Sequence, residues 1–248
     1  MTSKHIARRA ASRRPGRFLR SIVAALMWVA AALGSTNAHA QTEPTLSLED
    51  RREIQEALIT FGYLQGEPDG NFGTRTPAAI RQFQSVEGDT ETGTLSQDER
   101  YELLNMARHL LQLLQSTAAS PKGVTAASLR GGQQRLVKAA ALESAGDYKE
   151  AAYWYRLAAS DGEAKAFTNL GTLMVRGQGI DKADPSAAHL LWLAAAARGE
   201  PVAMFDLGTM YERGIGVAAD PATAKKWYAW AGAKGHAQAR DALKRLGG

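Results

Sequence analysis

The chain of 248 residues contains no cysteine. Disulfides, a thiolate nucleophile, Cys-ligated metals and a lipid-bearing N-terminal cysteine are therefore excluded, and stability has to come from packing. Alternating strand patterns are missing too, and every regular stretch has helical period. Histidine is scarce beyond residue 40, with only His109, His189 and His236. None lies in an H-E-x-x-H pattern and no pair has metal-ligand spacing, so no metal site is expected and these rings are expected at solvated positions. No G-x-S-x-G elbow or S-x-x-K pair occurs beyond residue 40 either. Helical modules take up nearly all the residues, which leaves no room for a catalytic domain. Neither enzyme activity nor a cofactor is expected.

Acidic residues are absent from the first forty positions, whereas Lys4, Arg8, Arg9, Arg13, Arg14, Arg17 and Arg20 supply seven positive charges. An apolar run of twelve residues follows from Ile22 to Leu33, and Ala38-His39-Ala40 offers small residues at both positions a signal peptidase reads. These are the marks of a secretory signal over 1–40, cleaved after Ala40. The run falls well short of the ~20 residues that span a bilayer, so an exported, periplasmic protein with no membrane span after signal removal is expected. The full chain has 30 basic and 25 acidic residues; less the seven leader cations, 23 face 25, a net charge of −2. The basic isoelectric point thus belongs to the leader, and no basic patch remains for nucleic acid.

Two regions, 41–115 and 133–248, flank a stretch over 116–132 that is rich in small and polar residues and reads as a flexible linker. In the first, Ser47 and Asp50 predict a capping box, Ile54, Ala57, Leu58 and Phe61 a buried stripe, and Gly62 a stop. Thr76-Pro77 predicts the start of a second helix carrying Ala79, Ile80 and Phe83. Ser96 and Glu99 predict a third, with Leu103, Leu104, Ala107, Leu110, Leu111 and Leu114. Between the first two helices, Gly62 to Gly73 has glycine at four places and must turn tightly, held by Tyr63, Leu64 and Phe72. Asp69-Gly70-Asn71 begins like a calcium loop but lacks the later ligands.

The elements Phe61-Gly62-Tyr63, Gly66, Asp69-Gly70, Phe72-Gly73, Thr76, Ala79-Ile80 and Phe83-Gln84 together resemble the peptidoglycan-binding domain family. The resemblance covers roughly residues 46–106. It departs at Phe61, where leucine is commoner, and at Val86-Glu87-Gly88-Asp89. It implies a three-helix module that binds peptidoglycan, with Tyr63, Asp69, Arg75, Thr76 and Arg81 as candidate contacts. Arg75 and Arg81 would suit the carboxylates of wall stem peptides as guanidinium forks, although a solvated helix face explains them as simply.

The second region repeats. Gly162, Gly199 and Gly235 are 37 and 36 residues apart, each preceded at fifteen residues by Asp147, Asp184 or Asp220 and at eleven by Ala151, Ala188 or Ala224. Such a period predicts stacked helix pairs, with the aspartates as N-caps of each second helix and Pro185 and Pro221 at the first helical positions. Gly171 and Gly208 fall inside first helices, which predicts close approach of a neighbouring backbone. Trp154, Trp192, Trp227 and Trp230 are expected in the core. Leu170-Gly171, Leu207-Gly208, Gly177-Gln178-Gly179-Ile180, Gly214-Ile215-Gly216-Val217 and Trp227-Tyr228 resemble the SEL-like repeat family, related to tetratricopeptide repeats. The pair around Gly146 to Ala151 lacks Leu-Gly and is closer to a generic tetratricopeptide unit.

The fold expected is therefore all-α: a three-helix module followed by a short right-handed α-solenoid of helix pairs with a terminal capping helix. The resemblances imply an adaptor that binds peptidoglycan with its first module and an envelope protein with its repeats. An alternative is a periplasmic signalling regulator that restrains a membrane sensor, with the wall module as tether. Asn169, Thr172 and Arg176 share one helix face by their spacing, and Asp206, Thr209 and Arg213 recur one repeat later. These six are the candidate partner-binding groove.

Overall fold

A computed structural model describes residues 46–115 and 131–247. The expected leader and residues 116–130 of the expected linker lie outside the described residues. Among the described residues there are ten helices and no strand. No described helix is long and apolar enough to cross a membrane.

The first three helices are α1 (Leu48–Phe61), α2 (Arg75–Glu87) and α3 (Gln97–Gln115). Helix α1 starts at the expected capping box, Ser47 with Asp50, and ends on Gly62 in the left-handed region. Helix α3 starts the same way, the Ser96 amide donating to Glu99 Oε2 at 2.7 Å. Helix α2 departs from expectation. It begins at Arg75 behind Thr74, which makes no side-chain cap, so Thr76 is inside the first turn rather than at the cap. Ile54, Leu58 and Phe61 meet Ile80, Phe83, Leu103 and Leu110 in the core. Each such side chain withdrawn from water contributes about 1.5–3 kcal/mol before entropy is subtracted. Leu111 was expected on this stripe but is exposed, because a step of one residue from Leu110 rotates it off the buried face.

Seven further helices follow: α4 (Gly132–Ser144), α5 (Tyr148–Ser160), α6 (Ala164–Arg176), α7 (Pro185–Ala197), α8 (Pro201–Arg213), α9 (Pro221–Ala233) and α10 (Ala237–Arg245). They form three pairs, α4/α5, α6/α7 and α8/α9, with α10 closing the stack on α9. Asp147, Asp184 and Asp220 accept from first-turn amides of α5, α7 and α9, as the repeat predicts. Ala151, Ala188 and Ala224, on the second helices, are fully buried.

The two regions pack against each other: α1 and α3 touch α7, and α3 also touches α5. Helix α7 explains why. Its sequence contains no charged residue and most of its side chains are buried. A helix that is apolar nearly all round must be covered on every side, and α1 and α3 cover the side that α6 and α8 leave open.

Candidate functional site

The turning loop of the first module is organised by a glutamine. Gln55, on α1, is 3% exposed. Its amide nitrogen donates to Asp69 Oδ1 (3.0 Å), the Asn71 carbonyl (3.1 Å) and Thr76 Oγ1 (3.3 Å), and its oxygen accepts from the Gly70 amide at 2.6 Å. Gly70 has φ +75° and Leu48 lies against the place a Cβ would fill, so no other residue fits that turn without displacing Leu48. Gln84, on α2, does the same for the next loop: it accepts from the Gly93 amide (3.0 Å) and donates to Thr92 Oγ1 (3.0 Å) and the Thr94 carbonyl (2.8 Å). The module is thus two successive helix–loop units, each loop clamped by a buried amide.

Within that frame the expected wall contacts fall into different places. Thr76 is buried and its hydroxyl is engaged by Gln55. Asp69 is exposed but inward-bonded: the Asn71 amide at 2.8 Å, then Gln55, hold its carboxyl below the usual range. Arg75 and Arg81 are exposed on α2. The Arg75 guanidinium lies over Gly66 and the Arg81 guanidinium over Gly93, so each cation stands on one clamped loop. Leu48, Arg51, Asp69, Gly70, Asn71 and Phe72 line a shallow recess of about 400 Å³ on the same module. Tyr63 is half-buried at the seam between the two regions, its ring 6.3 Å from Phe83. Burial pushes its phenol up, with Glu87 and Tyr211 adding to the shift.

On the repeats, Gly171 and Gly208 do mark close approach, but of aromatic side chains rather than of backbone. A Cβ on Gly171 would lie 2.5 Å from Trp192 Nε1, and one on Gly208 2.6 Å from the Tyr228 ring. Each first helix therefore seats an aromatic of its own second helix. Aromatics of the second helices also bond to first helices at or beside the expected groove. Trp192 Nε1 donates to the Thr168 carbonyl at 3.1 Å. Asn169 donates to Tyr155 Oη at 3.0 Å, which donates to Glu143 at 2.5 Å. Thr209 and Tyr228 share a hydrogen bond of 3.2 Å, and Tyr228 Oη donates to Glu212 at 2.7 Å. Burial pushes the Tyr228 phenol up to about 12, and Arg245 draws the Glu212 carboxyl down to about 2. Thr172 is half-buried and donates to its own helix. Burial raises Asp206 to about 6, against the pull of Arg176. Arg176 and Arg213 are exposed.

Two histidines are not where the sequence puts them. His189 is half-buried; its Nε2 shares a 3.0 Å hydrogen bond with Tyr211, and burial lowers it to about 4. The Tyr211 ring packs edge-on against it, 5.6 Å between centroids. His236 caps α10 by accepting from the Ala239 amide at 3.2 Å and stacks on Phe205. His109 is exposed. Among the described residues no group of three acidic or histidine side chains could hold a metal ion.

Sequence reasoning missed Gln55 and Arg198. Arg198 Nη1 donates to the Phe61 carbonyl (2.7 Å) and Nη2 to the Thr60 carbonyl (3.2 Å), closing the C-terminal end of α1. Its guanidinium also lies over the Phe167 ring at 4.6 Å. The uncharged α7 was a readable signal that another element covers it; which arginine would make the tie was not.

The family described as "Putative peptidoglycan binding domain" matches residues 47–101, and Sel1 repeats match residues 142–163, 164–200 and 201–236. Two stretches of the chain thus match family models, one of a peptidoglycan-binding domain and one of Sel1 repeats. The last two repeats coincide with α6/α7 and α8/α9. In the preceding pair the match covers mainly α5, in keeping with the missing Leu-Gly. Among solved structures, the Sel1 repeat protein of Oxalobacter formigenes is 26% identical, with 58% of this chain and 98% of that one covered, at a TM-score of 0.42. The protective antigen c5321 of uropathogenic Escherichia coli, which displays an SLR fold, is 19% identical, with 77% of this chain and 48% of that one covered, at a TM-score of 0.45. The chain thus spans about half the length of that antigen. No curated protein matches the chain.

Proposed function

We propose that this chain is an exported, non-catalytic envelope scaffold that binds peptidoglycan through its first module and docks a protein partner through its repeats. One observation carries the reading: a peptidoglycan-binding-type module and Sel1-type repeats occur on one chain, and both are binding modules rather than catalytic ones. The basic leader, its short apolar run and Ala38-His39-Ala40 support export to the periplasm, with cleavage after Ala40.

In this reading Arg75 and Arg81 contact wall carboxylates as charge-assisted forks, while Asp69, Thr76 and Gln55 keep the first loop in shape. Arg176 and Arg213, on successive first helices, present charge to the partner; Asn169 and Thr209 position the aromatics behind them. The test is co-sedimentation with purified sacculi, using the protein from Gln41 onward. The wild type pellets with the wall, and Arg75→Ala with Arg81→Ala lowers the bound fraction about tenfold, the loss expected of charge-assisted contacts. A wild type that stays in the supernatant overturns the reading, and so does a cleared band when the protein is run on a sacculus zymogram.

A further inference from the structure

A cavity of about 800 Å³ opens where α2 of the first module faces the end of the repeat stack. Tyr63, Arg81 and Glu91 line it from one side, and Trp227, Trp230 and Lys234 from the other. Its size and its place between two packed modules are those of a small-ligand site.

One of the lining side chains carries a donor without an acceptor. Trp227 is 2% exposed, yet its indole Nε1 is buried without a hydrogen-bond partner. Buried donors almost always have one, and the other two buried tryptophans of the repeats obey that rule. Trp192 donates to the Thr168 carbonyl, and Trp154 donates to Glu150 at 2.9 Å. Trp154 and Trp227 occupy equivalent positions, three residues after the repeat alanines Ala151 and Ala224. The residue four before Trp154 is Glu150, its acceptor. The residue four before Trp227 is Thr223, whose hydroxyl is turned away to Asp220 at 2.8 Å. The last repeat has thus lost the internal acceptor of a tryptophan whose side chain lines the cavity.

The walls describe what would answer it. Trp230 meets Trp227 edge-on at 4.8 Å and is partly exposed, so it offers an apolar face. Arg81 and Lys234 stand on opposite sides of the opening, neither in an ion pair among the described residues, against the single carboxylate of Glu91. The excess is positive. A fitting ligand needs a carboxylate for the cations, a carbonyl for the indole N–H and a small apolar group for Trp230.

We infer that this cavity binds the carboxylate end of a short peptide, and that in the wall-binding setting proposed above, on which the choice of source rests, the peptide is a peptidoglycan stem. One fragment would then be gripped across both modules, so wall binding and the arrangement of the repeats would be coupled.

The test is calorimetric titration of the protein from Gln41 onward with a synthetic stem tetrapeptide, as free acid and as C-terminal amide. The acid is expected to bind saturably and the amide about tenfold more weakly, the loss of one charge-assisted hydrogen bond. Lys234→Gln, exposed and outside the first module, should weaken the acid to a similar extent with an unchanged melting temperature. Trp227→Phe, which keeps a ring but removes the N–H, should weaken acid and amide alike. Equal affinity for acid and amide overturns the inference. So does absence of peptide binding by a wild type that still pellets with sacculi, an outcome that leaves the wall-binding reading intact. Binding unaffected by either Lys234→Gln or Trp227→Phe overturns it as well.

Discussion

Arg198 donates to the main-chain oxygen of Phe61 at 2.7 Å, across 137 positions of sequence. The guanidinium sits at the C-terminal end of α1, where unpaired carbonyls collect and the helix dipole favours a cation. Burial lowers its pKa, but two carbonyls of α1 and its own Ala194 carbonyl accept from it. Arg198→Met keeps the stem and leaves those carbonyls without the donor. It is expected to cost about 2–4 kcal/mol in urea unfolding, with hydrogen-exchange protection lost first in the last turn of α1.

Gly171→Ala sets two effects against each other. Helix propensity favours alanine by about 1 kcal/mol, while the new methyl meets the Trp192 indole at 2.5 Å. Overpacking of this kind costs about 1–3 kcal/mol and should win. A lowered melting temperature is expected, and the penalty should shrink when Trp192→Leu is made in the same chain.

Gln55→Leu leaves the Gly70 amide and the Thr76 hydroxyl without their buried partner. Losing a satisfied polar hub inside a low-dielectric core should cost about 3 kcal/mol. Chemical denaturation measures it. A change below about 1 kcal/mol would mean that water takes over the hub.

His189 titrates near 4, below the usual histidine value, because burial disfavours its charged form. Its neutral ring therefore adds stability that is complete above about pH 6.5 and is lost as pH falls toward 4. The full shift would be worth roughly 3 kcal/mol, and partial exposure reduces that to about 1 kcal/mol. The wild type should lose about that much more stability than His189→Gln between pH 7 and pH 5.

Asp206 behaves oppositely. Burial raises it to about 6, so its contribution is complete below about pH 4 and lost as pH rises through 6. Asp206→Asn should therefore stabilise the protein at pH 8 by about 1 kcal/mol, discounted for partial exposure. The gain should vanish near pH 4, as thermal melts across that range would show.

Most of the fold was legible in the sequence because it rests on local chemistry. The capping boxes at Ser47 and Ser96, the aspartate caps of α5, α7 and α9, the stop at Gly62 and the 36–37-residue period each depend on residues within one turn or one repeat of each other. Side-chain periodicity likewise predicts Ala166, Leu170, Met174, Ala203, Leu207 and Tyr211 as core; the first five are buried, and Tyr211 is only half-buried, against His189. Thr76 was misplaced by two residues because a threonine before proline looks like a cap, and only the partner on α1 reveals its other use. Tertiary structure alone decided the rest: that His189 is covered by Tyr211, that Gly171 and Gly208 seat aromatics, that Arg198 ties the repeats to α1, and that a tryptophan lining a cavity has an indole N–H without an acceptor. Those relations join residues from tens to more than a hundred positions apart, and their free energy depends on distance and exclusion of water in the packed state. Residue spacing along the chain specifies which face a side chain occupies, but only packing specifies what meets that face.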